Sequence, residues 1–205
     1  MQTSQVASTW NEPDRLAALR HYGILDTPPE PDFDDLVRLA AQVCEAPVSL
    51  ISLVDEQRQW FKAEVGFGRR ETPLVESICA TALLQPGLFI VPDTAQDTRF
   101  EGNPLVQGEP HLRFYAGALL ETPEGLPLGT LCVLDTKPRD LNEEQRFTLK
   151  TLSRQVMAQL ELRRALARCE EALMANRRAE QRQALLVREL HHRIRNTLAL
   201  VQSLL

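Results

Sequence analysis

Near the C-terminal end of the chain, Glu189-Leu190-His191-His192-Arg193-Ile194-Arg195-Asn196 concentrates two imidazoles, two guanidiniums and a carboxylate. Histidine, with an unperturbed pKa near ~6.5, is mostly neutral at cytosolic pH and can act as a nucleophile without a metal. Arg193 and Arg195 supply positive charge for an incoming phosphate or for an acidic partner surface. Glu189, three residues before His192, stands where it can orient the ring or accept its proton. Joint metal binding by His191 and His192 is excluded, because adjacent helical residues diverge by about 100°. The other reactive side chains are the cysteines Cys44, Cys79, Cys132 and Cys169. They lie far apart in sequence with no C-x-x-C pair, which argues against a zinc site or a disulfide framework. The reading is free thiols in a reducing compartment, with no metal.

The histidines must be carried by a helix. All 9 Gly and all 13 Pro precede Arg139, so the chain from there onward has no breaker. Asp140-Leu141-Asn142-Glu143-Glu144 reads as the helix start, with Asp140 or Asn142 as cap and two glutamates at the positive end of the dipole. A seam stepped by four and three residues runs Leu162, Leu166, Cys169, Leu173, Asn176, Glu180, Gln183, Val187, Leu190, Ile194, Thr197, Val201 and Leu204. It is apolar at both ends and polar in the middle, a coiled-coil pattern. Such a helix would run ~96 Å and needs a partner along its apolar stripe, most simply a second copy in parallel. On this seam Leu190 and Ile194 point inward, His191 flanks them, and His192 lies on roughly the opposite face.

Ahead of the helix the chain alternates. Residues 13–20 and 32–44 read as helices, the second with an apolar stripe of Phe33, Leu36, Val37, Leu39, Ala40 and Val43. Residues 48–54 and 59–65 form a hairpin around Asp55-Glu56-Gln57-Arg58, residues 88–91 a short strand, and residues 113–120 and 126–134 two more joined by Thr122-Pro123-Glu124-Gly125. A short helix is expected within residues 77–84. Residues 93–112 make a connection long enough to suggest a lid or binding segment. About five mostly hairpin-linked strands predict an antiparallel α+β domain with helices on one face. The implied divisions are a tail (1–14), a sensor-like domain (15–140), a linker helix (141–183) and the start of a further helical module (184–205).

The bulk composition excludes several classes. With 43% hydrophobic and 25% charged residues and a net charge of -5, the chain is neither disordered nor suited to nucleic acid. The N-terminus lacks a secretory pattern, and no apolar run approaches the ~20 residues that span a bilayer. A cytoplasmic protein without membrane contact is expected.

Two resemblances sharpen this reading. Arg20-His21-Tyr22-Gly23-Ile24-Leu25-Asp26-Thr27-Pro28-Pro29-Glu30, the strand pair beginning at Ser49, Ser77-Ile78-Cys79-Ala80, Asp93-Thr94-Ala95-Gln96-Asp97-Thr98-Arg99-Phe100, Asn103-Pro104-Leu105-Val106, Arg113-Phe114-Tyr115-Ala116-Gly117 and the segment from Pro127 to Asp135 together resemble a GAF domain. The implied fold class is α+β: a GAF-like antiparallel sheet flanked by helices, followed by a long C-terminal coiled-coil helix. The tail motif resembles the H-box of HWE-type sensor histidine kinases, with Ile194 and Arg195 where Val and Lys are commoner. That resemblance implies His192 as phosphoacceptor, with Glu189, Arg193, Arg195 and Asn196 in support. It also implies a homodimer through the C-terminal helices and a response-regulator receiver domain as partner. ATP would bind the parent kinase in a domain outside these 205 residues, so this piece alone would lack kinase activity.

The GAF resemblance implies a central cavity near Cys79, Asp93, Phe100, Phe114, Tyr115, Leu131 and Val133, for a ligand it does not identify. Ile78 and Thr81 stand where the resembling subgroup carries Phe and His. No Cys-His pair of the kind that anchors bilins follows Cys79, no basic neighbour lowers its pKa, and the cyclic-nucleotide signature of some GAF domains is missing. The alternative to a kinase is a non-catalytic dimerisation module that recruits a partner. A stand-alone sulfoxide reductase of this fold would need clustered cysteines, and the spacing of Cys44, Cys79 and Cys132 gives it little support.

Overall fold

The structure, a computed structural model, describes residues 10–202, with side chains described through residue 190. It divides into two units, one ending at Glu161 and the other starting at Leu162. In the first, α1 (Glu12–His21) and α2 (Pro31–Val43) each begin with proline in the first turn, where a missing N–H costs nothing. The strands are β1 (Val48–Val54), β2 (Arg58–Val65), β3 (Glu71–Pro73), β4 (Leu88–Val91), β5 (Phe114–Glu121) and β6 (Pro127–Asp135). They form one antiparallel sheet in the order β3-β2-β1-β6-β5-β4. The sequence reading missed β3, a three-residue edge strand ending at a proline, too short to show alternation.

Both faces of the sheet are covered, which corrects the expectation of helices on one face. Leu19, Phe33, Val37 and Ala40 of α1 and α2 pack with Ile51, Leu53, Trp60, Phe114, Ala116, Leu131 and Val133 on one side. On the other, Leu50, Phe61, Tyr115, Cys132 and Leu134 pack against α3 (Ile78–Ala82) and α4 (Pro104–Gln107). Double-sided burial explains why β1, β5 and β6 read as nearly continuous apolar runs. Gly129 lets β6 lie against β1, since a Cβ there would fall 1.9 Å from the Ser52 carbonyl oxygen.

The last helix, α5, runs Glu143–Gln202. Asn142 Oδ1 accepts from Gln145 N–H at 2.9 Å while Gln145 Oε1 accepts from Asn142 N–H at 3.1 Å, a reciprocal capping box. Leu149, Leu152, Val156 and Leu160 of α5 belong to the same core as α1 and α2. Arg139 ties the approach to this helix, donating to the Cys44 and Glu45 carbonyls at 2.5 and 2.7 Å. Among the described residues, no helix is long and apolar enough to cross a membrane.

Candidate functional site

The sheet register decides which candidate residues can meet. In antiparallel pairs, residues directly opposite each other present their side chains to one face. Ser52 pairs with Thr130, Leu50 with Cys132, Gly117 with Cys132 and Tyr115 with Leu134. Tyr115, Thr130, Cys132 and Ser52 therefore share the face covered by α3 and α4. Phe114, Leu131 and Val133, one residue out of phase, lie in the opposite core. The expected single cavity lined by all of them is thus split by the sheet, because neighbouring strand residues point to opposite sides.

Cys79 reaches this face from the first turn of α3. Ser77 caps that helix, its Oγ accepting from Ala80 N–H at 3.0 Å and donating to Gln59 Oε1 of β2. The Cys79 and Cys132 sulfurs then lie 3.8 Å apart. Tyr115 donates its hydroxyl to Cys79 Sγ at 3.4 Å and lies 3.2 Å from Thr130 Oγ1. Gly117 makes room for that hydroxyl, since a Cβ there would sit 2.2 Å from it. Burial pushes the Cys79 thiol up, but hydrogen bonds from Cys132, Thr130, Tyr115 and Ser52 outweigh it and lower it. Burial and the neighbouring Cys79 push Cys132 well up. The sequence offered no basic neighbour to lower this thiol; hydroxyls and a second thiol do the lowering. Cys132, Thr130 and Ser52 were missed. The hairpin turn at residues 122–125 carried no signal for them, because a register shift between Leu120 and Glu121 is what sets Cys132 opposite Gly117.

Phe100 is buried on the same side. Asp93 instead forms a two-pronged ion pair with Arg113 at 2.7 and 2.6 Å and caps a 3-10 turn through Ala95 N–H. The Arg113 hydrogen bond holds its carboxyl below the ordinary range. The connection at residues 93–112 is accordingly ordered by short hydrogen-bonded turns: Asp97 and Asn103 cap their own first N–H groups, and Thr94 Oγ1 donates to the Leu112 carbonyl at 2.6 Å. A cleft of about 420 Å³ opens at the end of the sheet between Val48, Phe67, Arg69, Glu109, Pro110 and Leu112. None of the sequence-predicted ligand residues lines it.

In the second unit, Leu162, Leu166, Cys169, Leu173, Val187 and Leu190 of the predicted seam are exposed. Glu189 is exposed on the same helix. The backbone of α5 includes His191, His192, Arg193, Arg195 and Asn196. Their side chains lie outside the described residues.

Residues 28–160 match the GAF domain family. A cyclic di-GMP phosphodiesterase of Pseudomonas aeruginosa is 44% identical over 151 residues, covering 73% of this chain and 26% of that protein. The chain thus spans about a quarter of the length of the curated relative it matches. The GAF domain of an Acinetobacter phosphoenolpyruvate-protein phosphotransferase superposes with a TM-score of 0.54 at 19% identity, covering 76% of this chain and 98% of that one. A domain assigned to a two-component sensor histidine kinase of Sinorhizobium meliloti does so with a TM-score of 0.52 at 15% identity, covering 68% and 96%. At such identities the structural likeness concerns the fold. The six-stranded sheet, the helices on its two faces and the match over residues 28–160 lead to one assignment: this chain belongs to the GAF domain family.

Proposed function

We propose that the chain is the sensor input of a cytoplasmic two-component histidine kinase, and that α5 carries its state to a phosphoacceptor, His192. The observation that carries this reading is a single helix that begins inside the GAF core and continues into the Glu189–Asn196 motif. Its exposed apolar seam supports a parallel homodimer with a second copy of the chain. In the parent, ATP binds outside these residues, Arg193 and Arg195 attract the phosphate, Asn196 and Glu189 support the imidazole, and a receiver domain takes the phosphoryl group onward. Full-length parent protein incubated with labelled ATP should acquire acid-labile label that His192→Ala abolishes and His191→Ala retains. Label that survives His192→Ala and disappears in His191→Ala moves the acceptor by one residue.

A second reading rests on the 44% identity to a cyclic di-GMP phosphodiesterase: the same sensor type feeding a phosphodiesterase output. In that case the full-length protein hydrolyses cyclic di-GMP and takes no label from ATP. A protein with neither activity, still dimeric, would be a recruiting module whose histidines are unused.

A further inference from the structure

Five polar or nucleophilic side chains, from Ser52, Cys79, Tyr115, Thr130 and Cys132, converge inside an otherwise apolar core, and the sensor-to-kinase reading uses none of them. Burying hydroxyls and thiols there is costly unless they satisfy one another, and an apolar set would pack at least as well. Ser52 Oγ is buried without another hydrogen-bond partner and faces Cys79. The pair joins the short helix α3 to the central strand β6, two elements 53 residues apart in sequence.

We propose that Cys79 and Cys132 form a hydroperoxide-oxidisable dithiol, whose disulfide ties α3 to the sheet. The sulfurs are already in contact at 3.8 Å, and closure shortens that gap to the ~2 Å of a disulfide bond. Tyr115 donates to Cys79 Sγ, and such a donor stabilises a thiolate there. Cys79 attacks one oxygen of hydrogen peroxide; the O–O bond breaks, water leaves after taking up a proton, and Cys79 becomes a sulfenic acid. Cys132 then attacks that sulfur; the S–S bond forms, the S–O bond breaks, and hydroxide leaves with the Cys132 proton as a second water. Two electrons pass from two sulfurs to one peroxide. Hydrogen peroxide is close to water in size, and a local opening of α3, a single five-residue helix, would admit it. The chemistry does not depend on which output the parent carries.

The test uses the full 205-residue chain with the exposed Cys169 changed to Ser, so that intermolecular coupling does not enter. After hydrogen peroxide treatment and denaturation, the free thiols should fall from three to one, with a Cys79–Cys132 linked peptide in the digest and full recovery on dithiothreitol. Adding Cys79→Ser or Cys132→Ser should abolish the link. The unsubstituted pair decides the matter even if those variants fold poorly. Recovery of both as free thiols, or as separate sulfinic acids with no linked peptide, would overturn the proposal.

Discussion

At the residue scale, the ionic and polar contacts of the core are reciprocal. Lys62 is fully buried on β2, where its ammonium donates to Thr27 Oγ1, the Pro28 carbonyl and Glu30 at 2.9, 2.8 and 2.5 Å and lies over the Phe33 ring. The Asp26-Thr27-Pro28-Pro29-Glu30 segment, noticed in the sequence as a family hallmark, is thus a tether that returns α2 to the sheet. Removing one partner of such a group strands the others without water. Lys62→Ala should cost about 3 kcal/mol in urea unfolding. A loss below about 1 kcal/mol would mean that water replaces the ammonium. Arg15 is a parallel case: it is buried, pairs with Glu12 and donates to the Val54 carbonyl at 2.7 Å, pinning α1 to the end of β1.

At the element scale, α5 serves two roles along its length. Its first turns are an ordinary amphipathic helix, with Leu149, Val156 and Leu160 buried in the core. Beyond Leu162 it exposes leucines at heptad spacing, an arrangement that a lone helix in water does not favour. A second copy would bury them. Leu166→Glu combined with Leu173→Glu should weaken association of the full chain by about a hundredfold or more in sedimentation velocity. An unchanged sedimentation coefficient in the variant would remove the coiled-coil seam from the account. The polar seam residues Asn176, Glu180 and Gln183 fall between the two apolar ends, where in a coiled coil they would fix register or mark a junction between two helical modules, at some cost in stability.

For the whole molecule, the core closes before the second unit begins. Tyr22 donates its hydroxyl to Glu161, the last residue of the first unit, and the matched family segment ends at residue 160. Cutting after Glu161 should leave the thermal midpoint of the remaining domain within about 4 °C of the full chain's, a shift worth about 1 kcal/mol or less. A collapse of the midpoint would show that residues beyond Glu161 contribute to the folded core. Stopping instead at residue 140, the boundary drawn from the last proline, would discard Leu149, Leu152, Val156 and Leu160, and the core would be left open.

The elements were legible in the sequence because their signals are local. Proline in the first turns, the Asn142 cap, the largely apolar β-branched run of β1 and the glycine at the β5–β6 turn each act within a few residues. The unbroken C-terminal helix was legible for the same reason, with no Gly or Pro after Pro138. The reactive pair was not. Cys79 and Cys132 looked unrelated in the sequence, since nothing near either announces the other. Only the strand order, which places β6 between β1 and β5, and the period of two along β5 and β6 bring the two sulfurs together and send Phe114 to the opposite side. Local chemistry writes the elements, while long-range pairing decides which side chains share a face, because a shift of one residue in register reverses every neighbour.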